Sequence, residues 1–177
     1  DSLPAGAVIE GAWNWVQTDP TPYSGTRAHK SDLVAGAHQH YFFNATATLT
    51  VDQGDWLFAY VYLDPENMPT QVMLQWYDGS WDHRAYWGIE WGVSEASRRF
   101  VGQLPPAGQW VRLQVPARAV DLEGRVVSGM AFTLLDGRAT WDRAGKGIGP
   151  RPSDDLIQQE SNYCEATYAA LLNRIGT

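Results

Sequence analysis

The sequence predicts an all-β protein, an antiparallel β-sandwich followed by one C-terminal α-helix, and three observations support this. Short runs rich in Val, Tyr, Trp, Phe, Thr and Leu follow one another from residue 8 to residue 147. Turn sequences such as Asp78-Gly79 and Asp136-Gly137 separate these runs at intervals typical of sandwiches and barrels. An amphipathic helical pattern appears only after the last of them.

Ten of these runs are predicted strands: Trp13–Val16, Thr26–Lys30, Gln39–Asn44, Thr48–Val51, Trp56–Leu63, Gln71–Tyr77, His83–Trp87, Trp110–Val115, Met130–Leu135 and Thr140–Arg143. In the fifth, alternation places Leu57, Ala59, Val61 and Leu63 on a core face, and Trp56, Phe58, Tyr60 and Tyr62 on the opposite face. The second set either lines a concave ligand surface or packs beneath a long loop, and both interpretations stay open.

The chain divides into a predicted sandwich module, residues 1–147, and a linker with a helix, residues 148–177. Ser153 is a suitable N-cap for that helix. Its apolar stripe consists of Ile157, Cys164, Tyr168, Leu171 and Ile175. A helix this short needs a packing partner, which is either its own sandwich or another chain. We slightly favour a contact with another chain, including self-association.

Charge and composition exclude several classes of function. The 177-residue chain has a net charge of −7 and contains only two lysines, so it lacks the basic face that nucleic acids require. No apolar run is long enough to span a membrane. The single cysteine excludes an internal disulfide. Because the chain starts at Asp1 without a leader, we expect a processed extracytoplasmic protein (periplasmic, cell-surface or secreted) or an excised piece.

Aromatic residues are unusually dense. The chain has nine tryptophans, eight tyrosines and five phenylalanines, and many of them fall between residues 38 and 91. Sugar recognition uses flat rings that stack on a pyranose and planar polar groups that bind its hydroxyls. The hairpin around Asp78-Gly79 supplies both kinds of group. The predicted ligand-binding set is Trp76, Trp81, Asp82, His83, Arg84, Tyr86, Trp87, Tyr60, Tyr62, His38 and His40. The competing interpretation places two of the three hairpin tryptophans in the core.

Two further patterns concern metal ions. His38 and His40 lie two apart on a predicted strand, and this spacing suits both metal ligands and hydrogen-bonded sheet histidines. Asp142, near the end of the last strand, with Glu10 as partner, is a candidate for a structural calcium ion, the one cofactor that the sequence suggests. A simple Asp142–backbone or Asp142–Arg143 contact is the favoured alternative.

Several segments together carry a family resemblance: Ser24–His29, His38–Phe42, Tyr60–Pro65, Leu74–Trp76, His83–Gly88, Gly129–Phe132 and Asp136–Asp142. In this order they resemble a β-sandwich module appended to large bacterial surface and cytochrome-like proteins. The wider similarity is to galactose-binding-like jelly rolls, many of which are carbohydrate-binding modules. The resemblance covers residues 1–147 and implies a jelly-roll fold, but it identifies no ligand.

Three functions follow from these patterns. The leading hypothesis is a non-catalytic, carbohydrate-binding module. The second is a structural subunit that the C-terminal helix docks into a larger assembly. The third is a jelly-roll polysaccharide lyase. Its chemistry requires residue types that this sequence contains: Arg27 or Arg84, with Gln39, His40 or His83, and Tyr86. Residue types alone are weak support for catalysis, so we do not expect an enzyme.

Overall fold

The computed structural model describes residues 1–92 and 95–149. Its strands are β1 (Val8–Glu10), β2 (Asn14–Val16), β3 (Ala28–Lys30), β4 (Ala37–Phe43), β5 (Leu49–Thr50), β6 (Trp56–Leu63), β7 (Gln71–Tyr77), β8 (His83–Gly88), β9 (Arg98–Gly102), β10 (Trp110–Pro116), β11 (Val126–Val127), β12 (Gly129–Leu135) and β13 (Ala139–Gly147). A short 3-10 helix, Ala117–Val120, follows β10. Each of the ten predicted runs overlaps one of these strands.

The strands form two large sheets and one small one. The six-stranded sheet has the order β1-β4-β12-β7-β8-β9, and the five-stranded sheet has the order β10-β6-β13-β3-β2. Strands β5 and β11 pair separately. Nearly all neighbours are antiparallel, so the predicted all-β sandwich is confirmed in its main features.

The core lies between the two large sheets, and alternation along each strand decides which side chains enter it. Leu57, Ala59, Val61 and Leu63 of β6 are completely buried, as the sequence predicts. The six-stranded sheet contributes inward residues from β7, β8 and β12: Val72, Leu74, Trp76, Ala85, Trp87, Met130, Phe132 and Leu134. Because alternate residues are buried, each sheet retains an outer face that is free to carry function.

Three strands were not predicted, and one pair departs from the antiparallel pattern. Strands β1, β9 and β11 are short or exposed, so they carry little hydrophobic signal. Strand β9 runs parallel to β8, with Arg84 opposite Arg98. Gly88, with a φ of 99°, is the last residue of β8. The chain after it returns to pair with β8 in parallel as β9 instead of forming a hairpin.

The predicted C-terminal helix, with its interaction stripe, falls within residues 150–177 and lies outside the described residues. The last described strand, β13, continues to Gly147. Among the described residues, no helix has the length and apolar character that a membrane span needs.

Candidate functional site

The hairpin of β7 and β8 divides its predicted ligand residues between two faces. Trp76 is 1% exposed, and Trp87 is also buried in the core. Because Trp76 pairs with His83, the alternation that buries Trp76 also turns His83 inward. The His83 Nδ1–H donates to the Val120 carbonyl at 2.6 Å, and Nε2 lies 3.2 Å from Asp78 Oδ1. These three side chains therefore stabilise the interior, and the expectation that they contact a ligand is corrected.

The other hairpin residues remain on the outer face or at the turn. Arg84 points outward, where its Nε donates to the Trp81 carbonyl and its Nη1 pairs with Glu95. Tyr86 also points outward, but it is covered by the ring of Phe100 at 5.5 Å and by the guanidinium of Arg98 at 5.3 Å. Asp82 is exposed at the turn. Of this hairpin, Trp81 and Arg84 are best placed to meet a ligand.

Trp81 belongs to a group of four aromatic side chains, which we call the ring wall: Tyr41, Phe43, Tyr77 and Trp81. The Trp81 ring lies edge-on to Tyr41 with centroids 5.5 Å apart, and 5.0 Å from Tyr77. Phe43 meets Tyr77 at 5.9 Å. All four are only partly buried. The ring wall therefore offers an amphipathic aromatic surface beside the middle of the six-stranded sheet.

A polar cluster of Gln39, Thr133 and Gln75 lies next to the ring wall. Gln75 Nε2 donates to Thr133 Oγ1 at 2.8 Å and to Gln39 Oε1 at 3.1 Å, and the Thr133 hydroxyl donates to Gln39 Oε1 at 3.0 Å. No bond within the described residues uses Gln39 Nε2 or Gln75 Oε1. One amide donor group and one amide acceptor are thus held in place, ready for a hydroxyl-bearing ligand.

Small residues of β12 lie beneath the ring wall. Ala131 lies between Tyr41 of β4 and Gln75 of β7, and each neighbour is opposite it in the ladder. Its methyl group leaves room for the rings of Tyr41 and Trp81 to meet, and Ala131 itself is only 2% exposed. Gly129, opposite Tyr77, has no space for a side chain, since a Cβ there would lie 2.5 Å from the Phe42 carbonyl oxygen.

A second wall lies over the same sheet, and the sequence analysis missed it. Trp91, Glu95 and Arg98 line a cavity of about 130 Å³ together with Met73 and Thr133 of the sheet. Trp91 is 48% exposed. It lies beyond the end of β8, where no strand periodicity marks it as a surface ring. Only the return of the chain towards β9 places it over the six-stranded sheet.

The predicted aromatic residues of β6 lie on the outer face of the five-stranded sheet. Tyr23 stacks on Tyr60 with centroids 3.7 Å apart, and their hydroxyls are 3.0 Å apart. That hydrogen bond raises the pKa of Tyr60. Trp110 packs edge-on to Tyr62 at 5.8 Å, and the Arg112 guanidinium covers Phe58 at 4.1 Å. Tyr23, Trp110 and Arg112 therefore cover part of this face, while Phe58, Tyr60 and Tyr62 stay partly exposed.

His38 and His40 share one face of β4, as their spacing predicts, and that face is the interior. His40 is 2% exposed, and its Nε2 lies 2.8 Å from His29 Nδ1. His38 Nδ1 donates to the Gly36 carbonyl at 3.1 Å. Neither histidine lies on the outer face, so the expectation that they contact a ligand there is also corrected.

The predicted calcium ligands belong to different sheets. Glu10 is exposed on β1 and pairs with Tyr41 in the six-stranded sheet. Asp142 is buried in β13 of the five-stranded sheet, where Oδ2 accepts from the Ser24 N–H and Oδ1 from the Arg143 N–H. Within the described part of the chain, no three His, Cys, Asp or Glu side chains come together as a metal site. The observed contacts of Asp142 match the alternative that the sequence analysis favoured.

The residues named for a lyase are only partly assembled in one place. Arg84, Gln39 and Tyr86 lie on the outer face of the six-stranded sheet, whereas His40 and His83 point into the interior. Arg27 packs over Trp15 of β2, in the other sheet. A carboxylate neutraliser, a base and an acid must share one substrate, and neither histidine reaches the face that carries the other three side chains.

No protein-family model matches the chain, and no curated protein matches it. Among solved structures, SGBP-B from a complex xyloglucan utilisation locus in Bacteroides uniformis is similar with a TM-score of 0.50 and 14% identity, over 84% of this chain and 46% of that one. TmCBM61, solved with β-1,4-galactotriose, matches with a TM-score of 0.45 and 10% identity, over 81% and 89% of the two chains.

A glycoside hydrolase domain, that of Endo-D from Streptococcus pneumoniae, is similar with a TM-score of 0.44 and 13% identity. It matches 79% of this chain, which spans only 20% of that one. At 14% identity the similarity to SGBP-B is one of fold, and it confirms the β-sandwich that the sequence resemblance implies.

Proposed function

We propose that this protein is a non-catalytic carbohydrate-binding module and that the outer face of the six-stranded sheet holds its glycan. The single observation that carries this proposal is the polar cluster beside the ring wall. The rings supply an apolar surface for the C–H face of a pyranose, and the free amide groups of Gln39 and Gln75 supply hydrogen bonds for its hydroxyls. The proposal includes an extracytoplasmic location, where such a module would meet polysaccharides.

The width of this outer face favours a chain of several sugars over a single one. From β4, with Tyr41, to β8, with Arg84, the face crosses three strand spacings, or about 14 Å. Arg84 is paired with Glu95, and Arg98 leaves this wall with one positive charge. The whole chain is nevertheless acidic, so an acidic polysaccharide would be repelled at long range. The proposed ligand is therefore a neutral polysaccharide.

Trp81→Ala and Gln39→Ala are each expected to weaken binding. Loss of a stacking ring costs about 1 kcal/mol, or roughly fivefold in Kd, and loss of an exposed amide donor has a similar cost. A glycan array and affinity electrophoresis would find the polysaccharide, and calorimetry with its oligosaccharides would measure Kd. Both residues are only partly buried or exposed, so we expect little change in Tm.

The matched control is Tyr62→Ala, which removes a ring from the outer face of the other sheet and leaves Kd unchanged. Blank results with neutral polysaccharides would contradict the proposed function. If Tyr62→Ala abolished binding while Trp81→Ala did not, the glycan would instead lie on the five-stranded sheet.

A further inference from the structure

A cavity with mainly apolar walls, which we call the apolar cavity, lies between the two sheets beside the last part of β13. Its volume is about 250 Å³. Its exposed rim includes Thr48 and Ala144, so it opens to the surface. The side chains that form most of its walls are Phe42, Leu49, Trp76, Val127 and Met130.

A β-bulge explains why the core is unfilled at this point. Before the bulge, the ring of Trp141 in β13 is completely buried between the sheets. The register of β13 against β6 then shifts between Asp142 and Gly145. After the shift, β13 contributes Ala144 and Gly145 to the cavity wall, and neither has a large side chain. The space that a larger side chain would fill therefore stays open.

The lining of the apolar cavity favours an aliphatic occupant. None of the described residues that line it is ionisable, and the side chains of Thr48 and Ser128 supply its hydroxyl groups. A sugar has a hydroxyl on most of its carbons and would leave several of them without a partner here. An apolar cavity of roughly 150 Å³ already holds benzene, so this one has room for about two aliphatic side chains.

The chain leaves the described part of the sandwich close to the apolar cavity. Gly145 lines the cavity, and Gly149, the last described residue, is at most about 13 Å further along the chain. Gly147 pairs with Trp56 of β6, and Gly149 packs so closely on the Trp56 indole that a side chain would not fit there. The chain then continues for another 28 residues, 150–177. This C-terminal segment therefore starts within reach of the cavity.

The C-terminal segment contains the kind of side chains that the apolar cavity can take. The stripe that the sequence predicts for it consists of Ile157, Cys164, Tyr168, Leu171 and Ile175. The stretch from residue 150 to Ile157 spans up to about 26 Å when extended, more than the distance back to the cavity. A helix with one apolar stripe needs a surface to pack on, and the cavity is an apolar surface without a cover among the described residues.

We propose that the C-terminal segment folds back on its own module and that aliphatic side chains of its stripe fill the apolar cavity. The sequence left two partners open, its own sandwich or another chain, and slightly favoured the second. The position of the cavity favours the first, because a tethered segment is present at an effective concentration in the millimolar range. This contact is independent of glycan binding, since no residue of the ring wall or the polar cluster lines the cavity.

The test places a nitroxide on the full chain. Cys164 is the single cysteine, so Cys164→Ser with Gln159→Cys gives one labelled position, on the side of the predicted helix opposite the stripe. We expect the label to broaden the backbone amide signals of Thr48 and Ala144 in NMR spectra. The amide signal of Asp136, at the far end of β12, should be affected much less.

Two variants of the labelled chain separate docking by the stripe from mere proximity. Leu171→Asp places a charge in the stripe and should abolish the broadening, because a carboxylate is costly to bury in a cavity without a cation. The matched control, Ala166→Asp, adds the same charge on the opposite side of the predicted helix and should retain the broadening. Neither residue belongs to the described sandwich, and circular dichroism would confirm that both variants remain folded.

A mixed sample identifies which chain supplies the segment. It contains ¹⁵N-labelled chains without nitroxide and unlabelled chains with nitroxide, and we expect no broadening in it. The proposal is overturned if the Thr48 and Ala144 signals stay sharp in the labelled chain, or if Leu171→Asp leaves the broadening intact. It is also overturned if the mixed sample shows the broadening, which would assign the cavity to a second copy. Failure of polysaccharide binding would contradict only the proposed function.

Discussion

Trp76→Ala is expected to lower the free energy of unfolding by about 3–5 kcal/mol, because it opens a cavity in the centre of the core. Trp76 is 1% exposed and packs among inward side chains of both sheets. In a domain of about 150 residues, each kcal/mol lowers Tm by about 2–4 °C. Thermal unfolding followed by circular dichroism would therefore show a decrease of about 10 °C, or a protein that no longer folds.

The control for this substitution is Trp81→Ala, which makes the same chemical change five residues away on the same hairpin. We expect it to leave Tm nearly unchanged and to weaken glycan binding. If Trp76→Ala kept its Tm but lost glycan binding, the assignment of Trp76 to the core would be wrong. Trp76→Phe, which keeps an aromatic ring, should restore part of the lost stability.

Acidification from pH 6.5 to pH 4 is expected to destabilise the protein by roughly 3 kcal/mol through His40 alone. Burial, and then the nearby His38, lower the pKa of His40 from 6.5 to about 4. Between these values the unfolded chain binds a proton that the folded protein does not, so stability falls as pH decreases. The difference of about 2.5 pKa units sets the magnitude. His29, lowered in the same direction, adds to the loss.

Urea denaturation at pH 7, 6, 5 and 4.5 would measure this effect. Asp64 and Asp78 lose their contribution at lower pH: although burial raises their pKa, hydrogen bonds that include those from Arg138 and Arg125 hold it below 3.8, so most of that loss falls below pH 4. His40→Gln should reduce the slope, and His38→Gln, which leaves the buried pair intact, should retain most of it. A denaturation midpoint that stays constant over this range would contradict the assignment.

Much of the fold is predictable from local patterns. Alternation along β6 identifies its buried residues, and turn sequences separate most of the strands, because burial of every second side chain has a period visible in a short segment. The exposed strand β9 is not predictable in this way, since its residues bury too little surface to leave a pattern. Its parallel pairing with β8 depends on where the long connection returns, which no turn motif specifies.

The candidate site is predictable only in its chemistry. An excess of rings between residues 38 and 91 indicates an aromatic surface, and the hairpin supplies Trp81 and Arg84. The same pattern also selects Trp76 and Trp87, although both are buried. A tryptophan of the core and a tryptophan of a binding face give the same sequence signal. Gln39 and Thr133 lie 94 positions apart, so only their pairing in the sheet shows that they act together.

The sequence by itself determines the class of fold, the faces of the long strands and a net charge of −7. The tertiary structure decides which rings meet on each outer face. Tyr23, from a distant loop, stacks on Tyr60 on one face, whereas Tyr41, Tyr77 and Trp81 meet on the other. The physical reason is that burial follows the alternation of side chains along one strand, whereas a binding surface is formed by side chains on neighbouring strands.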